Sequence, residues 1–196
     1  MPNFPARHVA SYFLDANCIN ARQGNSHINQ LERWRENNVI AIFMSWTAAI
    51  EAGAGNTKRL IKSYEYSTVS ESAPECGNLD TRSQIEAILF PTGACNDNQR
   101  NDVAILYMAE RQSYSLVSND GASKTQPGGM LGNAKALAKI GIIVLTPEQA
   151  VCEITALIRN RDSEAREIAA RLGISLPKWV GRNVPSFQTA SFQSIE

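Results

Sequence analysis

Four short apolar, β-rich runs, at 9–14, 39–44, 114–118 and 140–145, alternate with stretches of helix-like composition. That alternation narrows the fold to an α/β one, because strands joined through helices pair in parallel and need cover on both faces. The last run, Gly141-Ile-Ile-Val-Leu, is almost continuously hydrophobic, which suits a strand buried on both sides. The expected architecture is therefore a three-layer α/β/α fold around a central, mainly parallel sheet of four or five strands. Apolar spacing and closing Asn or Gly residues place helices at 28–37, 48–53, 58–64, 81–89, 98–112 and 131–139.

The pattern weakens between 53 and 97, where Ser, Glu, Pro, Gly and Asn cluster at 67–80 and again at 91–98. That stretch reads as an insertion of helices and loops. After Pro147 two further helices are expected, at 148–159 and 163–172, the second stopped by Gly173. The final stretch, 183–195, carries no charge and repeats Ser-Phe-Gln, a composition poor in aliphatics that reads as a flexible or partner-docked tail. The chain thus divides into a domain over 1–158, with its insertion at about 53–97, and a helical extension and tail over 159–196.

At 196 residues, one sizeable core is expected. Nineteen basic and nineteen acidic side chains leave no global excess that would announce nucleic acid or membrane as a partner, so any basic surface must be local. Cys18, Cys76, Cys95 and Cys152 form no Cys-x-x-Cys pair, which argues against a zinc knuckle and for reduced thiols. No stretch resembles a secretory signal or a membrane span, and a cytoplasmic protein is expected.

Four carboxylates carry the functional reading. Asp15 and Asp120 each follow an apolar strand-like run, and Glu51 and Asp102 lie in otherwise apolar helical runs. In open parallel sheets ligands collect beyond the carboxyl ends of strands. Asp102 is placed in the first turn of a helix capped near Asn98, where the dipole favours negative charge. Acids converging in apolar surroundings need protons or a cation. Oxygen ligands without His or Cys select Mg²⁺ or Mn²⁺ over zinc, and the implied chemistry is phosphodiester hydrolysis.

These residues, in this order, resemble the PIN-domain nucleases, whose members include toxin ribonucleases of bacterial toxin-antitoxin pairs. Leu14-Asp15-Ala16-Asn17 looks like the family's opening motif, Glu51 like the acid of the helix after strand two, and Asp102-Val-Ala-Ile like its mid-chain helix. Leu116-Val-Ser-Asn-Asp120 looks like its Leu-Val-Thr-x-Asp, with Ser118 in place of threonine. The resemblance covers roughly 9–155 and implies a PIN-like fold and a Mg²⁺- or Mn²⁺-dependent endoribonuclease. Asp15 and Asp120 would be primary metal ligands, and Asp102 and Glu51 would complete the first or second shell. It further implies RNA as substrate and an antitoxin protein as partner; a second copy of the chain is a separate candidate, to cover the apolar stripe of Ala165, Ile168, Ala169 and Leu172 on the extension. Asp97 lies five residues before Asp102 and competes for the third position; Asp102 is preferred because Val-Ala-Ile-Leu after it makes a buried helix. Asn17, Ser118 and Asn119 are candidates for orienting a ligand or substrate, and Lys58, Arg59 and Lys62 for RNA contact.

Two other classes compete. Glu167-Ile-Ala-Ala-Arg-Leu-Gly-Ile-Ser, in an arginine-rich stretch, looks like the first helix and turn of a DNA-binding helix-turn-helix. A PIN-like protein with a degenerate site would bind nucleic acid or regulate without cutting. An Asp-x-Asp phosphatase is disfavoured because Asn17 stands where its second acid belongs.

Overall fold

The structure, a computed structural model, describes residues 4–21, 24–69, 79–121 and 128–184. In chain order it runs β1 (Ala10–Leu14), α1 (Ala16–Ala21), α2 (Ser26–Glu36), β2 (Ile40–Ser45), α3 (Trp46–Gly53), α4 (Thr57–Tyr64) and β3 (Ser67–Val69). It continues through α5 (Leu79–Leu89), α6 (Asp97–Arg111), β4 (Ser115–Val117), α7 (Gly129–Gly132), α8 (Ala134–Ala138), β5 (Val144–Leu145) and α9 (Pro147–Leu172). The strands form one five-stranded sheet of order β3-β2-β1-β4-β5 in which every pairing is parallel. This is the α/β arrangement the PIN-like reading expects.

Consecutive residues of the central strands are buried, among them Tyr12, Phe13 and Leu14 in β1 and Leu116 and Val117 in β4. Because successive strand side chains point to opposite faces, both faces of the sheet are covered. On one side the Tyr12 hydroxyl donates to Glu153 Oε1 of α9 at 2.9 Å. On the other, Phe13 meets the rings of Phe43 and Tyr114 at centroid distances of 6.3 and 6.1 Å. The fully buried Phe13 ring contributes roughly 1.5–3 kcal/mol relative to exposure. Helix α2 packs on α9, and α3 packs on α1, α4 and α6.

Several elements differ from the sequence reading. Helix α1 was not expected, because Asn17, Cys18 and Asn20 disguise a six-residue turn of helix behind Asp15. The stretch at 53–97 contributes an edge strand, β3, as well as α4 and α5. The helix expected at 131–139 is two short pieces meeting at Asn133. The two helices expected after Pro147 are one continuous 26-residue helix, α9. Thr146 and Gln149 form a capping box at its start, Pro147 sits in its first turn, and Gly173 closes it at φ 62°. The boundary expected at 158/159 thus falls inside a single helix.

Beyond α9 the chain turns back without forming a helix through residue 184. A helix-turn-helix therefore lacks its second helix among the described residues. This returning segment is fastened by a buried cluster. Arg161 donates through Nε and Nη2 to Asp162 Oδ1 at 3.0 and 2.7 Å, and through Nη1 to the Arg7 carbonyl at 2.6 Å. Its guanidinium lies 4.5 Å from the Trp179 ring centroid. The Gly181 amide donates to Asp162 Oδ2 at 2.7 Å, and Trp34 Nε1 of α2 donates to the Asn183 carbonyl at 2.8 Å. Expectations about 186–195 and about Cys76 lie outside the described residues. Among the described residues no helix is long and apolar enough to cross a membrane.

Candidate functional site

Strands β1 and β4 lie side by side, and Leu14 and Val117 are register partners at their carboxyl ends. The chain leaves β1 toward β2 and leaves β4 toward β5, so connections diverge between them and open the crevice where parallel sheets bind ligands. Asp15 follows β1 directly, and Ser118, Asn119 and Asp120 follow β4. The Asp15 amide donates to the Val117 carbonyl at 3.0 Å, which fixes the two segments together.

Asp15 is only 4% exposed. Its Oδ1 accepts from the Ala16 amide at 2.6 Å, and its Oδ2 accepts from Asn17 Nδ2 and Ser118 Oγ, each at 2.7 Å. A carboxylate offers roughly four acceptor sites, and among the described residues one on Oδ1 receives no donor. Fully buried Ser118 is the joint of the site. It gives its proton to Asp15, and its oxygen accepts the Asp120 amide at 2.9 Å. Asn17 Nδ2 also reaches Ser118 Oγ at 3.3 Å, and Asn17 Oδ1 accepts the Asn119 amide at 2.9 Å. Asn119 is exposed, and its side chain lies 3.8 Å from Cys18 Sγ.

Asp120 is held by a turn that composition alone does not reveal. Its Oδ2 accepts the Met130 amide at 2.8 Å, and its carbonyl accepts the Leu131 amide at 3.0 Å. Gly129, at φ +51°, comes so close that a Cβ there would stand 2.6 Å from Asp120 Oδ2. The Pro127-Gly-Gly-Met-Leu-Gly stretch reads in sequence as a mobile loop, yet its part from Gly128 onward clasps a carboxylate. Gly129 and Met130 are thus site residues that sequence reasoning missed. The only sequence signal was two adjacent glycines a few residues after an acid.

Burial raises the Asp15 pKa above the ordinary carboxylate range; hydrogen bonds from Ser118, Ala16 and Asn17 oppose the shift, and the negative charge of Asp120 adds to it. Glu51, half-buried on α3, is raised by burial and then by the charge of Asp15. Burial, followed by Asp15, lifts the Cys18 thiol well above its usual value, so it stays protonated beneath the site. No lysine or arginine pairs with Asp15, Glu51 or Asp120 among the described residues. The structure therefore brings Asp15, Asp120, Asn17, Ser118 and Asn119 into contact, and the charge of Asp15 reaches Glu51.

Asp102 is not among the charges that shift Asp15 or Glu51. It is half-buried on α6, which packs against α3. Helix α6 is capped by Asn96, whose side chain accepts the Gln99 amide. Asp102 consequently lies in the second helical turn, not the first, and the dipole argument passes to Asp97. Asp97 opens the helix at the surface and pairs with Arg100 at 2.7 Å. Lys58 and Arg59 are exposed on α4, whereas half-buried Lys62 pairs with Glu65 and with Glu32 at 3.8 Å.

Among the described residues no three His, Cys, Asp or Glu side chains form a group that would hold a metal ion. The donor chemistry nevertheless fits a hard divalent cation. Asp15 and Asp120 offer carboxylate oxygens joined through Ser118, and among the described residues no basic side chain pairs with either.

No protein-family model matches the chain, and no curated protein does. Among solved structures, the crystal structure of VapBC2 from Rickettsia felis bound to a DNA fragment from their promoter aligns with a TM-score of 0.47 at 20% identity. The alignment covers 69% of this chain and 98% of that one.

Proposed function

We propose that the chain is a Mg²⁺- or Mn²⁺-dependent endoribonuclease whose centre is the Asp15–Ser118–Asp120 junction. The observation that supports this most is a carboxylate 4% exposed, pushed toward protonation by burial and by a neighbouring acid, with no basic side chain paired to it among the described residues. A structural aspartate in such a place would be expected to carry a salt bridge. In this reading Asp15 and Asp120 are the primary ligands, and Glu51 and Asp102 complete the outer part of the set. Bound by these carboxylates, a divalent ion would supply Lewis acidity for water activation and for the charge on phosphate oxygens.

The protein's own residues then do the positioning. Ser118 fixes both acids at once, Asn17 holds the second oxygen of Asp15, and the Gly129–Met130 turn aims Asp120. Burial keeps bulk water from screening the acids, so their attraction for a cation is larger than at an open surface. RNA is the proposed substrate, and an antitoxin-type inhibitor and a second copy of the chain are proposed partners. The test is cleavage of a labelled single-stranded RNA by purified protein. Cleavage should require Mg²⁺ or Mn²⁺ and stop in excess chelator; undiminished cleavage in chelator would contradict the reading.

A further inference from the structure

Helices α3 and α4 form a tight hairpin. A Cβ at Gly53 would stand 2.6 Å from Leu60 Cδ1, so the glycine lets the two helices approach closely. Ala48, Ala49, Ala52 and Ser63 fill the buried side. The other side exposes four large side chains: Trp46 and Ile50 one turn apart on α3, and Ile61 and Tyr64 one turn apart on α4. Trp46 is 49% exposed and Tyr64 47%. Their rings stack at a centroid distance of 5.9 Å and an interplanar angle of 20°. Glu51, on which the charge of Asp15 acts, follows Ile50 directly on the same helix. Lys58 and Arg59, on the same hairpin, are exposed and make no ion pair among the described residues.

From this juxtaposition we infer that Trp46 and Tyr64 form a stacking platform for unpaired bases, selecting single-stranded over duplex RNA for the neighbouring acids. The inference rests on the ribonuclease reading and narrows its substrate. Every base presents a π-face, so a stacking surface holds a strand without reading its sequence, while bases in a duplex are already stacked and gain nothing. Lys58 and Arg59 supply the phosphate attraction such a strand requires. A protein partner would use the same patch through Ile50 and Ile61. The charges favour a polyanion, because Lys62 is already engaged by Glu32 and Glu65 and the remaining two cations of α4 have no acidic partner among the described residues.

The test uses the full chain in chelator, where no cut occurs, and measures fluorescence anisotropy of a labelled 12-residue oligouridylate, the matching duplex and an abasic strand of equal length. Trp46→Ala and Tyr64→Ala should each weaken oligouridylate binding on the order of tenfold. Trp46→Phe should retain most of it, and the wild type should bind the abasic strand and the duplex as poorly as Trp46→Ala binds the oligonucleotide. Both aromatics are half-exposed, so circular dichroism should show the variants folded. Unchanged affinity in Trp46→Ala, equal affinity for the abasic strand, or no wild-type binding would overturn the platform. So would variants that keep RNA affinity but change assembly state in sedimentation, which would make the patch a protein interface. Loss of binding in Trp46→Ala alongside a wild type that never cleaves would keep the platform and remove the ribonuclease. Cleavage by a wild type whose affinity ignores Trp46 would do the reverse.

Discussion

Asp15 concentrates the energetic conflict of the molecule at one side chain. Burial opposes its ionisation while three donors favour it, and Asp120 adds repulsion. Glu51 is raised for the same reasons but without a hydrogen bond to a described neighbour, which makes it the cleaner probe. Because its folded pKa lies above its unfolded value, the folded state binds more protons between those two values. Stability without metal must therefore fall as pH rises through that window. Glu51→Gln removes this loss and sacrifices no observed hydrogen bond. In chelator its Tm should exceed the wild type's by about 1–3 °C at pH 7–8, and the difference should vanish near pH 4. A thermal melt series across pH checks it, and a lower Tm for the variant at pH 8 would show that Glu51 is stabilising. Ser118→Ala should leave the Asp120 amide and Asp15 Oδ2 without their shared partner. A loss of about 10–100-fold in metal affinity or cleavage is expected, read by Mn²⁺ titration.

At the scale of elements, the strand-end turns decide where the acids point. Gly129→Ala would force a Cβ against Asp120 at a positive φ, so Asp120 must move or the turn must open. Destabilisation of about 1–3 kcal/mol with loss of metal-dependent cleavage is expected, whereas Gly121→Ala, with no atom in the way, should be mild. Equal effects of the two substitutions would mean that the clasp does not position the acid. The same scale shows what the sequence made legible. Leu14-Asp15 and Val117-Ser118 were readable because apolar runs ending in an acid or hydroxyl mark the carboxyl ends of buried strands. Strand β3 was not, because Ser67, Thr68 and Val69 sit in a polar stretch and gain strand geometry only by pairing with Phe43, Met44 and Ser45. The grip on Asp120 by Gly129 and Met130 was not either, since backbone donors have no side-chain signature. The full length of α9 escaped because Asn160, Arg161 and Asp162 look like a break. They remain helical since Arg161 and Asp162 satisfy each other internally and fasten the returning chain.

For the molecule as a whole, the Arg161–Asp162 cluster ties the start of the chain, the middle of α9 and the segment after it into one unit with the sheet. Arg161→Ala would strand a buried carboxylate, at a cost of about 3–5 kcal/mol. For a chain of this size that is a Tm lower by about 10 °C. Cleavage by the protein still folded at low temperature should persist, because the acids precede Pro147. A melting curve and a cleavage assay on one sample separate the two effects, and a variant with unchanged Tm would show that the cluster does not brace the fold.

Cleavage of a labelled single-stranded RNA in Mn²⁺ by wild type and by Asp15→Asn, both confirmed folded by circular dichroism, tests the central claim most directly. The substitution keeps the size of the side chain and removes the charge that the site is built around. Cleavage by the wild type, abolished both in chelator and in Asp15→Asn, is the predicted result; Asp15→Asn cutting at the wild-type rate would contradict it.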